Sequence, residues 1–265
     1  MKKLIRAFII IVILIFGWRI ISAQPRMNTK NDTLKVLCYN LRFGELASLE
    51  QLADFIKSQN PDIIALQEVD VKTYRERAPL QNGKDFITEL GFRTGMLTAY
   101  AKTIPYAGGY YGIGILSKYP FLQTKRVMLP MPNGSKEQRA LLLADVELAD
   151  GKIITMVCTH LDYPSSEVRQ LQVKALNNAL KENPYPLIVA GDFNAQPDSP
   201  EISQGMASWK QVSSFDFTIP SHSPQSKIDY IFVSPIKAWT VISTETPRVT
   251  LSDHLPVAAT LELVY

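Results

Sequence analysis

Short apolar runs rich in branched residues recur along the chain, and most of them end in, or adjoin, a polar residue out of keeping with the run. Runs of this kind read as buried strands. They fall at residues 34–40, 63–68, 93–100, 110–117, 121–129, 140–148, 152–159, 186–190, 227–233, 238–243 and 256–264. Asp150-Gly151 supplies a tight hairpin between two of them. Three segments carry helical spacing instead. Ser48 opens the first, with Gln51 in the reciprocal capping position, Leu49, Leu52, Phe55 and Ile56 as its stripe, and Pro61-Asp62 as its stop. A short second helix is expected over 84–91, closed by Gly91, after a charged loop over 70–83. The third begins at Ser165 or Ser166 and runs through Lys181, and Ser199 can cap one more turn starting at Pro200. Many strands broken by few helices imply an α+β sandwich, two sheets covered by helices.

The glycines of Gly108-Gly109-Tyr110-Tyr111-Gly112-Ile113-Gly114 raise the prospect of a phosphate-cradling loop. A strand follows rather than a helix and the spacing is wrong, so close strand packing is the better account. No linker, low-complexity tract or solenoid repeat divides the chain, which favours one large domain.

The formal charge of +3 overstates how basic that domain is. Lys2, Lys3, Arg6 and Arg19 lie in residues 1–23 with no acid beside them, and the remainder stands near balance, at about −1. Near-neutrality gives no bulk attraction to a polyanion. The same segment has a basic start, an apolar run from Ala7 to Trp18 and small residues at Ser22-Ala23. That is the pattern of a secretory signal cut after Ala23, the alternative being an uncleaved membrane anchor. The expected organisation is a signal over 1–23, a short leader over 24–33 and one domain over 34–265, secreted or periplasmic. Cys38 and Cys158 sit inside apolar runs and read as two buried thiols.

The polar residues at the strand ends are Asn40, Glu68, His160, Asp192 with Asn194, Asp229, and Asp253-His254. Asp192 and Asn194 share a face if the chain stays extended there. An acid at Asp229 amid a core strand must be paired. Oxygen donors dominate and no Cys/His spacing of the zinc kind occurs, which suits a hard divalent ion, Mg²⁺ or Mn²⁺. A metal-bound phosphate with an imidazole on one side and a carboxylate-held water on the other is an arrangement for phosphoester hydrolysis.

Tyr39-Asn40-Leu41-Arg42, Leu66-Gln67-Glu68, Gly114-Ile115-Leu116-Ser117-Lys118-Tyr119-Pro120, Thr159-His160-Leu161, Gly191-Asp192-Phe193-Asn194, Ile228-Asp229-Tyr230 and Ser252-Asp253-His254-Leu255-Pro256-Val257 together resemble the endonuclease/exonuclease/phosphatase superfamily. The resemblance runs from about Leu34 to the C-terminus. It implies a DNase I-like, four-layer α/β/β/α sandwich with the site at the sheets' shared end. By position it implies Glu68 as main metal ligand with Asn40 and Asp253, and Asp192 as the group that orients and deprotonates water. Asn194 would steady phosphate oxygens, His160 and His254 would donate to the phosphate, and Asp229 would orient His254. Arg139 is implied as a phosphate ligand or, equally, as half of a surface ion pair.

Two positions depart from the abasic-site nucleases: Arg42 stands where they carry an acid, and His160 where they carry Tyr. The resemblance is therefore nearer to DNase-like, sphingomyelinase-like and phosphatase branches. The substrate is a phosphorylated small molecule, a lipid head group or a nucleic acid. A nuclease would need a basic groove, for which Lys72, Arg75, Arg77, Lys136 and Arg139 are candidates, and Tyr100, Tyr106, Tyr110 and Tyr111 are candidates for stacking. A phosphatase of small sugar or inositol phosphates suits the neutral charge best. A non-catalytic binding module should lack one of Glu68, His160, Asp192 or His254, and all are present. A monomer with no obligate protein partner is expected.

Overall fold

A computed structural model describes residues 33–264. The expected signal segment lies outside the described residues, as does the leader except for Thr33, which begins the first strand. In chain order the elements are β1 (Thr33–Asn40), α1 (Leu49–Gln59), β2 (Ile63–Val71), α2 (Phe86–Thr94), β3 (Leu97–Tyr106), β4 (Gly109–Ser117), β5 (Phe121–Met128) and β6 (Ala140–Glu147). There follow β7 (Ile153–His160), α3 (Ser166–Leu180), β8 (Leu187–Asp192), the single turn α4 (Pro200–Ser203), β9 (Lys210–Gln211), β10 (Asp229–Ser234), β11 (Trp239–Glu245) and β12 (Val257–Leu263).

The strands form two six-stranded sheets, ordered β11-β12-β1-β2-β4-β3 and β5-β6-β7-β8-β10-β9. All neighbours are antiparallel except β1 with β2 and β7 with β8. Alternation along each strand builds the layers. Val36, Cys38, Ile63 and Ala65 face Leu142, Met156, Cys158 and Ala190 in a core between the sheets. Leu37, Tyr39, Ile64 and Leu66 pack outward on α1 and α2, while Val157, Val189, Tyr230 and Phe232 pack outward on α3. This is the four-layer α+β sandwich, with both parallel pairs central and their C-terminal ends at one edge.

Several local expectations change. The reciprocal cap at Ser48 is present, Gln51 N donating to the Ser48 hydroxyl and Ser48 N to the Gln51 amide. The second helix begins after an Asp85 cap and continues past Gly91 to Thr94, where left-handed Gly95 ends it. Gly91 is small because the Thr98 side chain packs against it. Arg93 is therefore helical, and β3 starts at Leu97. In β4, Gly112 and Gly114 sit where a Cβ would strike the Ala101 carbonyl and the Ile87 side chain, so these glycines serve strand packing.

Both cysteines are free and buried. Gln67 links them, accepting from the Cys38 thiol at 3.5 Å and donating to Cys158 Sγ at 3.3 Å. Burial pushes both thiols up, Cys158 to about 12.

Candidate active site

Three strand ends share one register level. His160 of β7 pairs with Asp192 of β8, and Asp192 pairs with Asp229 of β10. Across the sandwich Asn40 of β1 pairs with Gln67 of β2. The register shift between β2 and β4 gives β2 one extra residue, and Glu68 there adopts φ 56°. That bulge explains why the strand does not stop at Glu68, as its sequence suggests, but continues to Val71.

Asn40 joins the two sheets. Its Nδ2 donates to Glu68 Oε1 at 3.2 Å and to Asp192 Oδ2 at 3.1 Å, while its Oδ1 accepts from Arg42 N at 2.9 Å. Asp192 Oδ1 accepts from Asn194 N at 2.8 Å. The chain is not extended here: Asn194 has φ 48°, and its amide donates to Leu161 O at 3.1 Å. Asp192 and Asn194 therefore form a side-chain-stabilised turn rather than two steps along one strand face.

Both imidazoles point a ring nitrogen at Asp192 Oδ2, His160 Nε2 from 3.5 Å and His254 Nε2 from 3.7 Å. Different partners set their protonation. Asp229 holds His254 Nδ1 at 2.9 and 3.1 Å. Burial opposes a charged His254 ring, but Asp229 and then Asp192 outweigh it and push the ring up to about 9. His160 Nδ1 instead faces Arg139, at 3.1 Å. A guanidinium only donates, so this nitrogen presents its lone pair and the proton sits on Nε2. Burial, then the charges of Arg139 and His254, hold His160 well below the usual histidine range. A neutral ring and a charged ring thus both aim an Nε2–H at one point. Burial, reinforced by Asp229, pushes the Asp192 carboxyl up to about 7.

Arg139 is not at the surface. It is buried, ion-paired with Glu137 Oε1 at 2.7 Å, and its Nε has no protein partner. Asp253, placed among the metal ligands by the family resemblance, is ion-paired to Arg42, which also binds Glu45. Three of the cations considered for a polyanion groove are likewise neutralised. Arg75 is bound to Asp70 at 2.5 and 2.9 Å, Arg77 to Glu45 at 2.7 and 2.8 Å, and Arg139 to Glu137. His222 is exposed in its loop.

Glu68, Asp192 and Asp229 gather three carboxylates, and no Lys or Arg forms an ion pair with any of them among the described residues. Such a site suits a cation. Glu68 is the available ligand, since among the described residues its carboxylate is hydrogen-bonded by the Asn40 amide alone. Asp192, Asp229 and His254 also place ligand-type atoms within 4.8 Å of one another. Their donors and acceptors are already engaged with each other, with Asn40 and with Asn194, which favours Glu68 as the anchor.

Some supporting residues had no sequence signal. Arg169 donates to Glu201 Oε1 at 2.8 Å and to the carbonyls of Asp162 and Tyr163 at 3.2 and 2.8 Å, tying the loops after His160 and Asp192 together. Lys227 was visible as a cation before an apolar run. It is fully buried, donating to Asp229 O at 2.9 Å.

A model of the endonuclease/exonuclease/phosphatase family matches residues 37–254. The chain belongs to that family. Its members hydrolyse phosphoesters and are generally dependent on a divalent metal. Protein cwh43 of Schizosaccharomyces pombe is 26% identical over 147 residues, 55% of this chain, which spans only 14% of that protein. Among solved structures, an endonuclease/exonuclease/phosphatase from Bacteroides vulgatus superposes with TM-score 0.72 at 22% identity, covering 88% of this chain and 100% of that one. A mannosyl-6-phosphatase from Bacteroides thetaiotaomicron gives 0.66 at 17% identity with the same coverage. At these identities the structures share the fold with the present chain.

Proposed function

We propose that this chain is a Mg²⁺- or Mn²⁺-dependent hydrolase of small phosphate esters, exported from the cytoplasm. The observation that carries the proposal is the convergence of two Nε2–H donors on the Asp192 carboxylate, itself raised to about 7. Glu68 would hold the ion, with Asn40 and Asp253 as the further ligands that the family resemblance implies. When bound, the ion supplies positive charge to the phosphate oxygens.

The protein's own groups do the rest. Asp192, fixed by Asn40 and by the Asn194 backbone, accepts a proton from the attacking water. A carboxylate raised to about 7 is a stronger base than an ordinary one and is still ionised above neutrality. His160 and His254 donate to non-bridging oxygens as charge builds on them. Arg139 holds the first ring in the donating tautomer, and Asp229 holds the second in its charged form.

Small substrates are favoured over nucleic acid because Arg75, Arg77 and Arg139 already have carboxylate partners. The mannosyl-6-phosphatase among the structural neighbours is consistent with a phosphatase. Export is supported by the basic and apolar pattern of residues 1–23. The deciding experiment is a panel of DNA, RNA, sphingomyelin and inositol phosphates, assayed with Mg²⁺ using wild type and Asp192→Ala. Turnover of the small phosphate ester alone, abolished in the variant, is expected. Preferential cleavage of DNA or RNA would replace this reading with the nuclease.

A further inference from the structure

The buried stripe of α3 carries a polar residue. Val173, Leu176 and Leu180 pack with Val157 and Val189, and Gln172, one helical turn before Leu176, is buried on the same side. A leucine would suit that pattern, because a buried amide costs stability unless its polar atoms are hydrogen-bonded. Here both ends are engaged. Gln172 Oε1 accepts from Asp162 N at 2.8 Å, and Gln172 Nε2 donates to Pro130 O at 3.2 Å.

Those two backbone groups belong to the segments that carry His160 and Arg139. Asp162 follows His160 on the loop after β7. Pro130 opens the loop that Arg139 closes: Leu129 N donates to Arg139 O at 2.9 Å, and Gln138 Nε2 donates to Leu129 O and Arg139 O at 2.7 and 2.8 Å. These bonds make the base of the loop one unit, so a tie at Pro130 also restrains Arg139. The β6–β7 ladder ends at the Leu141–Thr159 pair, before it reaches Arg139 and His160. Beyond that pair the side chain of Gln172 bonds to both segments from a third element. We infer that Gln172 is a positioning residue: it holds the base of the Arg139 loop against the segment after His160, and so keeps the guanidinium on His160 Nδ1, where it sits at 3.1 Å. Gln172 acts through Arg139 and His160 rather than on the phosphate. Its effect on turnover rests on the hydrolase reading above.

The test is a double-mutant cycle on kcat for bis-p-nitrophenyl phosphate with Mg²⁺, using wild type, Gln172→Met, Arg139→Met and the double variant. Methionine has the length of glutamine and suits the apolar stripe, but it leaves Asp162 N and Pro130 O without their partner. Gln172→Met should lower kcat about tenfold with KM nearly unchanged. In the Arg139→Met background the same substitution should cost less than about twofold, because the contact it maintains is already gone. Leu176→Ala, a control on the same stripe, should lower the thermal midpoint and leave kcat unchanged. The chain has three histidines, so the His160 ring signals in nitrogen-15 spectra are assignable by substitution. Gln172→Met should shift them toward their positions in Arg139→Met, and Leu176→Ala should not. Equal losses of kcat in both backgrounds, or a folded Gln172→Met with wild-type kcat and ring signals, would overturn the positioning role while leaving the hydrolase intact. If wild type turns over no phosphoester, the hydrolase reading fails and the ring signals alone decide the role of Gln172. Should Gln172→Met not melt cooperatively, Gln172→Glu takes its place in the cycle, since it keeps an acceptor for Asp162 N and loses the donor to Pro130 O.

Discussion

Replacing Asp229 with Asn removes a charge while keeping an oxygen to accept the His254 Nδ1–H, so the hydrogen bond persists and the ion pair does not. The rise of His254 from 6.5 to about 9 corresponds to roughly 3 kcal/mol in favour of the charged ring. Asp229 is the largest contributor opposing burial. Without it the buried ring drops to about its ordinary value or below. The sign follows directly: the active form is protonated, so activity is present below the folded pKa and fades as pH rises through it. The alkaline limb of the pH–rate profile should move from near pH 9 to about pH 6.5 or lower. Asp229 raises Asp192 and the charged His254 ring lowers it, so losing both charges leaves the acidic limb the less affected of the two. The profile narrows from its alkaline side. In a slightly alkaline buffer, turnover should fall about tenfold from titration alone, and by about 10² or more if the donor role is lost with it. The assay is kcat/KM for bis-p-nitrophenyl phosphate across the pH range at saturating Mg²⁺, with the thermal midpoint as a fold check. An alkaline limb that stays near pH 9 in a folded Asp229→Asn protein would refute the assignment.

Other changes separate architecture from chemistry. Arg139→Met should destabilise the protein by about 1–2 kcal/mol in urea unfolding because half-buried Glu137 loses its partner. Adding Glu137→Gln should recover most of that stability without restoring turnover, since His160 still lacks its Nδ1 donor. Arg169→Met should cost about 3 kcal/mol through unpaired, fully buried Glu201 and should lower kcat by loosening both catalytic loops; Glu201→Gln should cost less. Burial lowers Lys227 from 10.5 to about 8, a cost of roughly 3 kcal/mol to the folded state below pH 8. Lys227→Met should therefore be the more stable protein near neutrality, by about 2 kcal/mol after the lost hydrogen bond to Asp229 O. That gap should close as pH rises from 8 toward 10.5, measured by chemical unfolding.

Wherever local pattern decided the outcome, it was legible in the sequence. The alternation of Val36 and Cys38 with Leu37 and Tyr39, and the Ser48–Gln51 box, need only the near chain. The residues brought to one end of the sandwich could be named because each closes or adjoins an apolar run. What escaped depends on contacts between distant segments. Asn194 turns because Leu161 O and Asp192 capture its two ends, and Glu68 sits on a bulge whose partner is β4. The α2 stop was misplaced because Gly91 and Gly95 carry the same signal, and only the packing of Thr98 distinguishes them. Arg139 read equally as a phosphate ligand or as half of a surface ion pair, and Arg42 only as a residue out of keeping with the abasic-site nucleases, until the fold set His160 and Asp253 beside them.

The most direct measurement is turnover of bis-p-nitrophenyl phosphate and p-nitrophenyl phosphate by wild type, Glu68→Gln and Asp192→Ala, with Mg²⁺ or with EDTA. Hydrolysis by wild type with Mg²⁺ alone is expected, abolished by EDTA and by either substitution in proteins that still melt cooperatively. Hydrolysis that survives EDTA, or that persists in folded Asp192→Ala, would contradict a metal-assisted attack of water directed by Asp192.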